Sequence, residues 1–144
     1  MPLQTLIDRK MTYCLVTTTV AQVAQAMAED DADAVLVVSH GAPRGIITER
    51  HIVRRCVLEG RDPQETTAET ILSDDVGQVR WDQDLDDIAR VMRNEGVRHV
   101  AIVDAGGNAL GLASFDDVFD RLSAELSLLR GAVRNSHRPK SQAA

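Results

Sequence analysis

The feature that most constrains this chain is an internal repeat: the segment from Val20 to Val53 matches Leu85 to Phe119 at a shift of about 65 residues. One structural unit must therefore be built twice. In each copy apolar residues fall at i, i+3, i+4 and i+7, as Val20, Val23, Ala24 and Met27 and again as Leu85, Ile88, Ala89 and Met92, which defines one face of a helix. Thr19 with Gln22 and Asp84 with Asp87 stand where N-terminal caps are expected.

Each helix is followed by a short β-branched run, Ala34 to Val38 or His99 to Val103, too apolar on both sides for a half-exposed strand and therefore expected to be a buried central strand. A turn follows, Ser39 to Pro43 or Asp104 to Asn108, and then a second strand ending at Thr48 or Ser114. The last element is a helix, with Ile52, Val53, Cys56 and Val57 on one face in the first copy and Phe115, Val118, Phe119, Leu122, Leu126 and Leu129 in the second. Gly60 and Gly131 sit where these helices should stop.

A short extended segment leads into each unit, Tyr13 to Thr17 and Gln78 to Trp81. The fold class is thus α/β (α+β), with two helix-strand-strand-helix units, each with a leading strand, spanning 1–62 and 63–130. A unit of about sixty residues has a marginal core alone, so the two are expected to pack through their sheets about a pseudo-two-fold axis.

With 44% hydrophobic residues and 26% charged ones the chain is globular, and with 3% aromatics its core must be aliphatic. A net charge of −6 with dispersed basic residues argues against nucleic acid as a partner. The stretch 131–144 carries Arg134, His137, Arg138 and Lys140 without an acid and reads as a disordered basic tail. Cys14 and Cys56 are too few for a disulfide framework, fit no zinc spacing and read as small buried hydrophobes. No run approaches the length of a membrane span or a signal peptide, so a cytoplasmic protein away from the membrane is expected. No nucleophile-base set, metal cluster or P-loop is present, which argues against an enzyme.

The end of the second strand carries Gly45-Ile46-Ile47-Thr48-Glu49-Arg50-His51 in one copy and Gly111-Leu112-Ala113-Ser114-Phe115-Asp116-Asp117 in the other. A hydroxyl three residues before an acid is also an ordinary helix capping box. Found twice in such a repeat, these motifs resemble those of the CBS-domain family, named after cystathionine β-synthase, whose tandem pairs are called Bateman modules.

The resemblance implies a regulatory module that binds an adenosine-type ligand, AMP, ADP, ATP or S-adenosylmethionine, needs no obligatory cofactor, and forms a homodimer that signals to an unknown client protein. It implies that Gly111 admits the ligand near the backbone, that Ser114 and the helix start receive phosphate, and that Asp117 accepts from the ribose hydroxyls. Gly45, Thr48 and His51 form the corresponding weaker site. His51 in place of the acid removes one or two charge-assisted hydrogen bonds of about 1.5–3 kcal/mol each, a loss of about tenfold to a few hundredfold; its other reading is a surface helix residue with no ligand.

Basic residues before the first central strand are directed at ligand phosphates in the family. The second copy has Arg98 and His99 there, with Ala101 further along the strand, whereas the first has Asp33, which would repel phosphate. Which cleft Arg98 and His99 serve stays open. Trp81 lies in a segment that lines the family's adenine pocket and either stacks on a base or covers the core. The alternative function is a ligand-independent scaffold, with the Leu122, Leu126 and Leu129 helix as its dimerisation or partner surface.

Overall fold

The computed structural model describes residues 3–136. The first unit contains β1 (Tyr13–Leu15), α2 (Val20–Asp30), β2 (Ala34–Ser39), β3 (Ala42–Thr48) and α3 (Glu49–Ile52), which continues as a π-helical turn over Val53–Val57. The second contains β4 (Gly77–Arg80), α5 (Leu85–Glu95), β5 (His99–Val103), β6 (Ala109–Ser114) and α6 (Phe115–Ser136). Two short helices, α1 (Gln4–Ile7) and α4 (Ala68–Ile71), precede the respective sheets.

Each sheet has three strands, in the order β1-β2-β3 or β4-β5-β6, with the first pair parallel and the second antiparallel. Both expected helix starts carry complete capping boxes, Thr19 with Gln22 and Asp84 with Asp87. The hairpins differ because His40 and Gly41, both at positive φ, close the first in two residues, as a type I′ turn requires. In the second, Asp104 holds a longer turn by accepting from the backbone of Gly106 and Asn108.

The cores do not follow the chain division at residue 62. Leu3 and Leu6 pack with Ile88, Val100, Ile102 and Ala113 of the second unit, while Ala68 and Ile71 pack with Val23, Val35, Ile47 and Cys56 of the first. Each unit's leading segment thus completes the other unit. Arg55 secures this exchange by donating to the carbonyls of Ile71 and Leu72 at 3.2 and 2.6 Å. Between the sheets Leu36, Val38 and Ala101 form a third buried layer with Met11, Val76 and Leu112, the expected packing through the sheets.

Two expectations about the last helices need correction. In the first unit Cys56 is buried but Val53 and Val57 are exposed, because the π-helical turn changes the angle between successive side chains and takes them off the face of Cys56. In the second unit α6 passes through Gly131 and ends at Ser136; glycine lowers helix stability but does not by itself end a helix. Arg134 is therefore helical, while His137, Arg138 and Lys140 lie outside the described residues.

Candidate functional site

The two motifs place equivalent hydroxyls at equivalent helix starts. At α6 the Asp117 backbone N–H donates to Ser114 Oγ at 3.1 Å and the Ser114 backbone N–H donates to Asp117 Oδ2 at 3.1 Å. At α3 the His51 backbone N–H donates to Thr48 Oγ1 at 3.4 Å and the Thr48 backbone N–H donates to His51 Nδ1 at 3.0 Å. His51 is therefore not a plain surface residue. It is half-buried and does the capping work of the missing carboxylate, which requires a neutral ring with its proton on Nε2.

The motif glycines serve the exchange of leading segments. A Cβ on Gly45 would meet the Ser73 carbonyl oxygen and Leu72 Cδ1 at 2.7 Å each, and one on Gly111 would meet the Leu6 carbonyl oxygen at 3.4 Å and Ile7 Cα at 3.5 Å. Ile46 and Ser73 bond reciprocally through their backbones beside this contact. Gly45 allows close backbone approach, Gly111 leaves room for ordinary contact, and at both the backbone alongside belongs to the chain itself.

Two adjoining clefts, of about 340 and 230 Å³, open between the helix starts and share Asp33, His99, Ser114 and Asp116. Thr48 and Arg98 line the larger, and Arg9, Thr12 and Asp117 the smaller. The register explains the meeting: His99 pairs with Ser114 at one end of the second sheet, and Ala34 pairs with Thr48 at the matching end of the first. Arg98 and His99 thus line a cleft between the two units. Asp33, expected to weaken the first site alone, also faces Ser114, so its repulsion applies to both.

Asp117 is tied to Arg9 by an ion pair. Burial pushes its carboxyl up, but the Arg9 guanidinium and the Ser114 N–H and hydroxyl outweigh this and leave it below the ordinary value. The segment carrying Arg9 is itself tethered, since Lys10 Nζ and Thr12 Oγ1 donate to the Asp30 carboxylate at 3.0 and 2.9 Å. Burial, with Arg98 adding to it, lowers His99 below the ordinary histidine value, and burial with Arg55 lowers His51. Burial thus favours the neutral form of both rings.

Two expected site residues are placed differently. Trp81 donates its backbone N–H to the Val103 carbonyl, four residues along β5 from His99 or about 13 Å away, so it does not line the cleft. Ala101 is sealed between the sheets. Arg98 lies over the Phe115 ring at 4.6 Å while lining the larger cleft. The segment that lines the Asp117 cleft is 9–12. Its position one repeat upstream of Asp74 to Gly77 was visible, but that leading segments cross to the other unit was not.

Among the described residues no group of three or more His, Cys, Asp or Glu side chains is arranged to hold a metal ion, and no helix is long and apolar enough to cross a membrane.

The fold resembles that of a CBS domain protein from Pyrobaculum aerophilum in complex with AMP, with a TM-score of 0.70, 23% identity, and coverage of 81% of this chain and 89% of that one. It also resembles the cytosolic domain of the Mg2+ channel MgtE in complex with ATP, with a TM-score of 0.60, 27% identity, and coverage of 76% of this chain and 44% of that one. An uncharacterized protein of Methanopyrus kandleri is 33% identical over 103 residues, which are 71% of this chain and 53% of that protein, so the match spans about half of the relative's length. With residues 4–58 and 69–124 each matching the CBS domain, and with two interlocked units of the corresponding fold, the chain belongs to the CBS-domain family as a tandem pair and is a regulatory module.

Proposed function

We propose that this CBS pair senses an adenosine-type ligand, of the AMP, ADP, ATP or S-adenosylmethionine class, in the cleft beside Asp117 and passes its occupancy to a client protein. The observation that carries this reading is the half-buried Asp117 carboxylate, held ionised one turn into α6 next to the Ser114 hydroxyl. Each carboxylate oxygen has a further lone pair for a ribose hydroxyl. Ser114 Oγ stands at the start of the long α6, where a helix N-terminus favours an anion. Arg98 at the cleft wall adds a positive charge. The AMP and ATP held by the two fold relatives support the ligand class.

In this reading the Thr48 and His51 side is the weaker site, because an imidazole committed to capping offers a ribose no acceptor. The module binds and signals without turning its ligand over, acts in the cytoplasm as a homodimer, and uses neither nucleic acid nor a membrane. A ligand-independent scaffold is the second reading. It is favoured by the acids Asp31, Asp33 and Asp116 around the same cleft, which oppose a highly charged phosphate chain.

The test is thermal unfolding with AMP, ADP, ATP, NAD, S-adenosylmethionine or no ligand, for the natural chain and Asp117→Ala. A ligand at a hundred times its dissociation constant adds about 2.7 kcal/mol, or roughly 5–10 °C for a chain of this size. A shift that Asp117→Ala abolishes supports the sensor. If no ligand moves the transition, the scaffold reading replaces it.

A further inference from the structure

Along α6 the residues Phe115, Phe119, Leu122, Leu126, Leu129 and Val133 follow at alternating steps of four and three, the spacing of a two-stranded coiled-coil seam. Leu122 is partly covered by the second unit's core, but the other five are between 42% and 65% exposed. The match to the CBS domain ends at residue 124, and the seam runs on through Leu126, Leu129 and Val133. The unit's own core does not include Leu126 and Leu129. Gly131 makes the last turns of α6 poorer helix by about 1 kcal/mol relative to alanine, and short helical stretches depend on a packed apolar face. On this line Gly131 falls at the outermost position, away from the seam.

The flanking charges select the orientation. Glu125 and Arg130 are exposed and border the seam on opposite sides, five residues apart. In a parallel, in-register pair Glu125 faces Arg130 of the second copy, and the contact occurs twice by symmetry. In an antiparallel pair each flank meets its own kind, setting acid side against acid side and basic side against basic side. The geometry points to a parallel α6–α6 coiled coil between two copies of this chain, running past the CBS units to at least Val133. This deepens the homodimer part of the function proposed above and is independent of which ligand binds.

The test uses sedimentation of the natural chain, oxidative cross-linking of Leu126→Cys and Val133→Cys, and charge exchange. Cys14 and Cys56 are buried, which keeps background cross-linking low. A dimer in which both variants link to their own kind supports the proposal, because seam positions in a parallel pair approach within disulfide range. Glu125→Arg is expected to weaken dimerisation roughly threefold to tenfold, and Glu125→Arg with Arg130→Glu to restore it. A dimer in which only one cysteine variant or neither links, or in which Glu125→Arg changes nothing, overturns the parallel seam while leaving the dimer. A monomer at micromolar concentration overturns both.

Discussion

The Arg9 guanidinium lies 2.5 Å from the Asp117 carboxylate, joining residues 108 positions apart across the two units. The segment before β1 thereby occupies one oxygen of the carboxylate proposed to receive ribose. Since Arg9 is largely exposed, the pair contributes at most about 1 kcal/mol. Arg9→Ala is expected to tighten binding of adenosine, which has no phosphate to miss the arginine, by up to about fivefold. Titration calorimetry of the two proteins checks this, and weaker binding by the variant would place Arg9 among the ligand's contacts.

Gly45→Ala is expected to cost about 1–3 kcal/mol of stability by urea unfolding, because its Cβ would sit 2.7 Å from the Ser73 carbonyl. Gly111→Ala meets backbone at 3.4 and 3.5 Å and should cost less than 1 kcal/mol. Equal stabilities for the two variants would contradict the close-approach role.

Stability should fall as the pH drops from about 7.5 to 5. His51 and His99 are depressed below the ordinary histidine value, His51 by burial with Arg55 and Arg50 and against the pull of Asp75, His99 by burial with Arg98 and against Asp33, Asp116 and Asp117. Their contribution is fully present above the unfolded histidine value near 6.5. As the pH falls below it, the unfolded chain takes up protons that the folded rings resist, and stability is lost until the folded values are passed. His51→Asp keeps a capping acceptor without an imidazole, so a urea series across this window should show a shallower decline. An unchanged slope would mean that His51 does not titrate differently on folding.

Asp31 ends α2 in the left-handed region at φ 50, where the second unit has Gly96 at φ 67. Asp31→Gly should relieve this backbone conformation and stabilise the protein by about 0.5–1 kcal/mol. It also removes an acid from the Asp117 cleft, so nucleotide affinity should hold or rise. A lower midpoint in urea would show that the Asp31 side chain contributes more than its backbone costs.

The repeat, the capping boxes and the strand runs determined the main helices and the central strands of each unit, because those signals are local: a cap needs its partner three residues on, and a buried strand needs only its own apolar run. The two motifs also identified Ser114, Asp117 and Thr48 as helix-start groups. Tertiary structure decided the rest. That Leu3 and Leu6 complete one core while Ala68 and Ile71 complete the other depends on which exposed apolar face each short helix reaches, and contacts of that range have no periodicity in the chain. The same crossing brings Arg9 to Asp117 and lays backbone against Gly45 and Gly111, while the packing of the two sheets brings Asp33 to the Ser114 cleft. What surrounds the site is set by packing between the units, which no pattern within one unit encodes.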